Sequence, residues 1–197
     1  IPNRVTSIGW GAFGDCTSLK EVVIPGSVTN IEDGAFKDCT GLTHVDILNS
    51  VASIGNQVFE GCTGLTSLRF PAGLVRIDEY AFMDCRGLTS LTLPEGLEMI
   101  GGWAFSGCTG LRLIYLTETV FRSILRHKNS LRYLSQVSVC FTEVRSGAIM
   151  LSEFRQVFGN NALTFKPATF IAWAVSSRRD VNDQAGPNNV GNFRNVL

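Results

Sequence analysis

Six cysteines and two histidines are among the residues of this chain whose side chains are best suited to act as nucleophiles or zinc ligands. Five of the cysteines recur at an interval of 23 residues, at Cys16, Cys39, Cys62, Cys85 and Cys108. If each 23-residue block forms one coil of a stack, the cysteines lie in a column, one in each coil. Neighbouring coils are about 4.8 Å apart, so the Cβ atoms of adjacent cysteines are farther apart than the roughly 3.8 Å that a disulfide favours. Zinc needs ligands that converge as a tetrahedron, which a single column does not supply. We therefore expect free, buried thiols that act as small apolar side chains.

The two histidines provide little material for catalysis. His44 is expected on the outward side of a strand and His127 on a basic helix, and the repeat brings neither of them next to a nucleophile and a carboxylate. The glycines recur with the repeat and serve its corners, so no glycine-rich phosphate loop follows a strand. The sequence therefore predicts no enzyme, no cofactor and no metal site.

The repeat that positions these residues fills the first 115 positions without an insertion or a deletion. Phenylalanine stands three residues before each of the five cysteines, and the pattern Leu-x-x-Val-x-Ile follows, as in Leu42 to Ile47. Apolar residues at this spacing are typical of a short strand whose side chains alternate between the inside and the outside of a coil. A second apolar pair in each block, such as Val5 with Ile8, predicts a short extended segment on the opposite wall. We expect one sheet strand per block and a ladder of stacked phenylalanines inside.

The complete motif closely resembles one known family. Seen from Ser27 through Ile47, it is similar to the BspA-type leucine-rich repeat, and the resemblance covers residues 1–116 as five repeats. It implies a repeat solenoid with a right-handed leucine-rich-repeat coil and a parallel β-sheet on one face. It also implies binding to other macromolecules, since such repeats occur in bacterial surface adhesins and in large families of protist and algal proteins.

The start of the array falls within a repeat, because Ile1 aligns with the strand end at Ile24. The first coil of a solenoid needs a cover for its apolar interior. We therefore expect this end to be continued by more repeats or covered by a partner.

The end of the array is predicted to be a degenerate sixth repeat that serves as the C-terminal cap, over residues 117–145. Apolar residues at helical spacing predict a short amphipathic helix from Glu118 to Asn129. A sixth strand is predicted from Leu134 to Val139, in register at the same 23-residue interval after Leu111 to Leu116.

Residues 146–197 are predicted to form a short helical extension followed by a polar tail. Two helices are expected, from Ser152 to Phe158 and from Pro167 to Arg179. Their apolar residues either pack on the solenoid or dock on another protein, and peripheral contact with a membrane is a third alternative. The partner-binding candidates in this segment are Phe154, Phe158, Phe170, Trp173, Arg178 and Arg179.

The charges divide along the same boundary. Residues 1–115 contain 7 basic and 12 acidic side chains, whereas residues 116–197 contain 10 basic and 5 acidic ones. Either the basic segment folds back on the acidic solenoid, or it binds a separate acidic surface. The sum over the chain is neutral, which argues against nucleic acid as the partner.

Three further patterns bear on location. No apolar run approaches the roughly 20 residues of a transmembrane helix, and the opening residues Ile1 to Arg4 do not have the pattern of a signal peptide. The unpaired cysteine column and the lack of Asn-x-Ser/Thr acceptors favour an intracellular protein. An adhesin would instead lie at the cell surface.

The outward side chains of the predicted strands form the candidate binding face, because the core fixes the backbone beneath them while they are free to vary. Tyr115 is the best single anchor, since tyrosine offers broad contact at low entropic cost. The candidates on this face are His44, Asp46, Arg69, Thr92, Leu113 and Tyr115.

The leading interpretation is a non-catalytic protein–protein interaction module, a scaffold or peripheral subunit of a larger assembly of other proteins. The first alternative is a cell-surface adhesin or recognition protein of BspA-like type. The second alternative is an accessory region of a larger multidomain enzyme.

Overall fold

Short parallel strands form two walls of a solenoid, with one strand of each wall in every 23-residue repeat. The computed structural model describes residues 1–48, 50–125 and 137–141. In chain order the elements are β1 (Ser7–Ile8), β2 (Glu21–Ile24), β3 (Asn30–Ile31), β4 (His44–Ile47), β5 (Ser53–Ile54), β6 (Ser67–Arg69), β7 (Arg76–Ile77), β8 (Ser90–Thr92), β9 (Met99–Ile100), β10 (Leu113–Leu116), α1 (Glu118–Leu125) and β11 (Ser138–Phe141). The predicted parallel-sheet solenoid is confirmed.

The longer strands lie on the first wall, and equivalent residues of successive repeats pair in parallel. Strand β2 pairs with β4 and β4 with β6, while β8 pairs with β10 and β10 with β11. This wall thus consists of two three-stranded sheets, and no ladder joins β6 to β8 among the described residues. The interruption coincides with Phe70, which replaces an aliphatic residue directly after β6 and packs in a T-shaped arrangement with Phe82, with centroids 5.7 Å apart.

The two-residue strands form the second wall, where β1 pairs with β3 and β5 with β7 and then β9. Their isoleucines point inward and are buried, as at Ile54 and Ile77. The extended segment that the second apolar pair predicts is therefore confirmed.

A third wall carries the Ala-Phe-x-x-Cys part of each repeat and consists of consecutive turns. Every second N–H donates to the carbonyl three residues earlier, and the intervening N–H groups donate to the next coil. The N–H of Phe36 donates to the carbonyl of Val58 at 2.9 Å, and that of Phe59 donates to Ala81 at 2.8 Å. This side of the solenoid therefore satisfies its buried backbone groups without a regular β-ladder.

The phenylalanines of this wall stack through the centre of the solenoid. Neighbouring rings lie 5.0–5.3 Å apart between centroids, with interplanar angles of 3–12°, along the column Phe13, Phe36, Phe59, Phe82 and Phe105. The predicted ladder is confirmed, and four of its five rings are buried. Phe13 in the first repeat is half buried, because no described coil covers its outer side.

Helix α1 closes the C-terminal end of this core. The N–H of Val120 donates to Thr117 Oγ1 at 3.3 Å, so Thr117 acts as the N-cap. Val120, Phe121 and Ile124 are buried, as the predicted amphipathic spacing requires. The predicted helix is confirmed over Glu118–Leu125, and residues 126–129 lie outside the described part of the chain.

The register predicted for the sixth strand is wrong by two residues. Ile114 pairs with Val139 and Leu113 with Ser138, an interval of 25 residues instead of 23. A shift of two residues keeps the same side chains pointing inward, so the alternating pattern cannot detect it. Residues 134–136 and the predicted extension at 146–197 lie outside the described residues.

The phenylalanine ladder generates a stability prediction. We expect Phe59→Ala to lower the free energy of unfolding by about 3–5 kcal/mol, because it removes a fully buried ring and leaves a cavity between two neighbouring rings. Urea unfolding followed by circular dichroism measures the change. Val75→Ala is the control, since Val75 is 40% exposed. A loss below about 1 kcal/mol for Phe59→Ala would mean that the assignment of inside and outside is wrong.

Gly61 generates a second stability prediction. It has a φ of 72°, and an added Cβ would overlap the carboxylate of Asp38. We expect Gly61→Ala to destabilise the fold by at least about 1–2 kcal/mol, the cost of a left-handed non-glycine residue. Gly102→Ala is the matched control, because a Cβ there has no neighbour within 4 Å. Equal unfolding midpoints in urea for the two variants would contradict this explanation.

Candidate binding face and the cysteine column

The outward side chains of β2, β4, β6, β8 and β10, together with the residue that precedes each strand, form a surface that we call the strand face. The parallel register arranges the strand residues in rows across the strands. Val23 lies beside Asp46 and Asp46 beside Arg69 in one sheet, and Thr92 lies beside Tyr115 in the other. The structure thus brings all six predicted strand residues onto this face, three in each sheet.

The strand face rests on a buried floor. Val45 and Ile114 are fully buried beneath it, and Leu91 is 2% exposed. Because these inward residues and the ladder hydrogen bonds fix the backbone, the outward side chains contribute little to the fold. They are available for recognition.

Threonines at the edge of this face do contribute to the fold, because their hydroxyls form hydrogen bonds to the backbone of the preceding repeat. The hydroxyl of Thr43 donates to the carbonyl of Lys20 at 3.0 Å, and that of Thr66 donates to Thr43 at 3.1 Å. These hydroxyls hold adjacent coils together, and their recurrence every 23 residues is the sequence signal for that role.

The predicted polar candidates are differently placed. The side chains of His44, Asp46, Arg69 and Tyr115 make no hydrogen bond or ion pair with any other residue in the described ranges. Arg69 is exposed, and the other three are half buried. One carboxylate oxygen of Asp46, Oδ1, is covered and lacks a partner among the described residues.

Charges on the other walls are paired more often. Lys37 contacts Glu60 at 3.3 Å, Arg76 contacts Asp78 at 2.9 Å, and Arg86 contacts Asp84 at 3.1 Å. Arg69 on the strand face, by contrast, has no counter-ion among the described residues.

A groove that the sequence analysis missed lies on the second wall. It is a shallow groove of about 310 Å³ whose lining includes Trp10, Glu32, Asp33, Arg76 and Asp78. Burial raises the pKa of the Asp78 carboxyl, and Arg76 opposes this effect. The acidic pairs that directly follow Ile31 and Ile77 are the sequence signal for the groove. Among the described residues no group of three or more acidic, histidine or cysteine side chains is placed to hold a metal ion.

The candidates in the C-terminal segment have no place in this geometry. Phe154, Phe158, Phe170, Trp173, Arg178 and Arg179 lie outside the described residues. Over residues 1–48, 50–125 and 137–141, no helix combines the length and the apolar character that crossing a membrane requires.

The repeat geometry agrees with a family-level match. A model of the BspA-type leucine-rich repeat region matches residues 1–112 in six copies, which is more than half of the chain. The chain belongs to the BspA-type leucine-rich repeat family. The comparison with curated proteins found no match.

Solved structures share the fold of this BspA-type chain. A leucine-rich cell surface protein from Faecalibacterium prausnitzii is 33% identical, with a TM-score of 0.61, over 63% of this chain and 33% of that protein. The pneumococcal vaccine antigen PcpA is 16% identical, with a TM-score of 0.55, over 74% of this chain and 40% of PcpA, and this likeness concerns the fold alone. The chain thus spans about a third of the length of the first structure it matches.

The cysteine column has a structural role in these BspA-type repeats. The thiols of Cys39, Cys62, Cys85 and Cys108 each donate to the phenylalanine carbonyl of the preceding repeat, with Cys62 Sγ 3.2 Å from the oxygen of Phe36 and Cys85 Sγ 3.1 Å from that of Phe59. All five cysteines are free. The expectation that all five are buried is wrong for Cys16, which is exposed because no described coil lies on its outer side.

Burial keeps the thiols of Cys85 and Cys108 protonated. It raises the pKa of Cys85 well above the usual thiol range and raises the pKa of Cys108 to about 12. A protonated thiol can donate its hydrogen bond, whereas the thiolate is the reactive nucleophile. The inner column is therefore built for packing and hydrogen bonding.

This column generates a reactivity prediction. At pH 8, iodoacetamide should modify Cys16 in the folded protein, while Cys85 and Cys108 should react only after unfolding in urea, because both are buried and protonated. Peptide mapping by mass spectrometry assigns each modified cysteine. Modification of Cys85 in the folded state at the rate of Cys16 would contradict the packing described above.

Proposed function

We propose that this chain is a non-catalytic protein-interaction module that binds a partner protein on its strand face. The observation that carries the proposal is the set of side chains at His44, Asp46, Arg69 and Tyr115. They stand on the two parallel sheets of the first wall and have no hydrogen bond or ion pair to another described residue. Solenoid repeats present extended surfaces of this kind to other macromolecules.

A chain with this binding face would serve as a scaffold or peripheral subunit of a larger assembly. A rigid face that is decoupled from the core lets the contact residues change without loss of the fold, which suits a module whose task is to hold partners in place. The apolar and basic candidates of the C-terminal segment, such as Trp173 and Arg178, are a second proposed contact.

A second candidate function is recognition at the cell surface. It is supported by the similarity to the leucine-rich cell surface protein of Faecalibacterium prausnitzii, at 33% identity. In that case the same strand face would bind a partner outside the cell.

Site-specific photo-cross-linking tests the binding face. With p-benzoylphenylalanine in place of Tyr115, we expect ultraviolet light in native cells to link the chain to a defined partner protein, because this side chain lies at the contact. With the same residue in place of Val75, which is 40% exposed on the second wall, that partner should be absent from the cross-linked products. Mass spectrometry identifies the linked proteins. Identical sets from both positions would refute the strand face as the binding surface.

The same cells separate the two candidate functions. A membrane-impermeant biotin reagent applied to intact cells labels the chain if it acts in surface recognition. A scaffold inside the cell is labelled only after lysis.

A further inference from the structure

The cations of the strand face are concentrated in its last three repeats. The nine outward residues at 66, 67, 69, 89, 90, 92, 112, 113 and 115 include two arginines and no carboxylate. The other charged residues of 1–115 comprise 5 basic and 12 acidic side chains. A surface with a local positive charge therefore lies on an otherwise acidic solenoid.

Asp46 of the preceding repeat is the neighbour of Arg69 in the sheet, but neither arginine forms an ion pair with a carboxylate within the described part of the chain. Arg69 is exposed and makes no hydrogen bond or ion pair there. Arg112 Nη1 donates to the backbone oxygens of Thr109 at 2.7 Å and Leu111 at 3.1 Å, which hold the guanidinium in place without neutralising it. A fixed guanidinium with free donors is suited to bind a carboxylate in two parallel hydrogen bonds.

Two apolar side chains lie on the same face as these arginines. Leu113 and Tyr115 are half buried on β10 and point outward. Their neighbours on β8 are the small residues Ser90 and Thr92, which are paired with them in register. The short side chains leave room on the β8 side of Leu113 and Tyr115, and their hydroxyls can bond to a peptide backbone.

We propose that this surface, which we call the arginine shelf (Arg69, Ser90, Thr92, Arg112, Leu113 and Tyr115), binds a short acidic peptide segment of the partner protein. Carboxylates of the segment pair with the two arginines, and an aliphatic or aromatic side chain lies on Leu113 and Tyr115. The inference rests on the proposed function and adds the chemistry of the partner.

The stacking of the coils fixes the spacing of such a segment. Arg69 and Tyr115 stand two coils apart, and the phenylalanine rings of these successive coils lie 5.3 Å apart, so the two positions are about 10 Å apart. An extended peptide advances about 3.3 Å per residue, so its acidic and apolar residues would be about three positions apart. The expected ligand contains an acidic residue, two variable residues and an apolar residue.

The charge distribution favours a short peptide over an extended polyanion. A nucleic acid or an anionic bilayer would approach the acidic walls as well as the arginine shelf, and the carboxylates of those walls would repel it. A short segment covers the shelf alone.

Selection of peptides on the full-length chain tests the proposal. A display library of random 12-residue peptides is selected on the immobilised protein, and fluorescein-labelled copies of the enriched peptides are titrated by fluorescence anisotropy. We expect acidic peptides with an apolar residue about three positions away, and weaker binding at higher salt. Each of Arg69→Glu and Arg112→Glu should weaken binding at least about tenfold, because each places a carboxylate opposite the ligand's own.

Arg4→Glu is the matched control, since it makes the same change of charge at an exposed arginine away from the strand face. It should change the affinity less than about twofold. Circular dichroism confirms that each variant is folded. Equal losses in Arg4→Glu and Arg69→Glu would reduce the effect to net charge and overturn the shelf.

The remaining outcomes separate this inference from the proposed function. If the enriched peptides are basic or neutral and bind the Tyr115→Ala variant more weakly, the strand face remains the binding surface, but the proposal of an acidic partner segment is overturned. Peptides that bind all strand-face variants equally would overturn both. Failure to enrich any peptide, or tighter binding to phosphatidylserine vesicles than to every enriched peptide, would overturn the peptide assignment.

Discussion

The structure depends on one constraint, which is that equivalent residues of successive repeats must stack at a constant interval of 23 residues. Hydrogen bonds between coils on all three walls enforce this interval, and the phenylalanine rings reinforce it at 5.0–5.3 Å. An insertion inside a repeat would break several of these contacts at once. The absence of any insertion over the first 115 residues follows from this constraint.

The same constraint explains why polar chemistry inside the solenoid is confined to hydrogen bonding. A cysteine that recurs once per coil meets the carbonyl of the preceding phenylalanine, as Cys108 meets Phe82 at 3.1 Å. Burial then favours the protonated thiol, because a thiolate would lose its solvation without gaining a cation. A residue type that elsewhere serves as nucleophile or metal ligand thus becomes part of the coil-to-coil packing.

Outside the core, stacking leaves one surface whose side chains carry little of the fold. The strand face combines Arg69, which has no ion pair among the described residues, with the apolar residues Leu113 and Tyr115, while several charges on the other walls form ion pairs. Membership of the BspA-type leucine-rich repeat family is consistent with such a surface acting in recognition. The distribution of charge within the face, more than the fold, would set which partner binds.

The sequence by itself determined the repeat, the inward columns, the phenylalanine ladder and an amphipathic helix that begins at Glu118, because each follows from a local periodicity of apolar residues. It also placed His44, Asp46 and Arg69 on one face. Only the tertiary structure decided the break between β6 and β8, the 25-residue register of β11 and the exposure of Cys16. These three features depend on contacts between neighbouring coils. The periodic sequence pattern is the same whether or not a neighbouring coil packs against a given repeat, so it cannot reveal them.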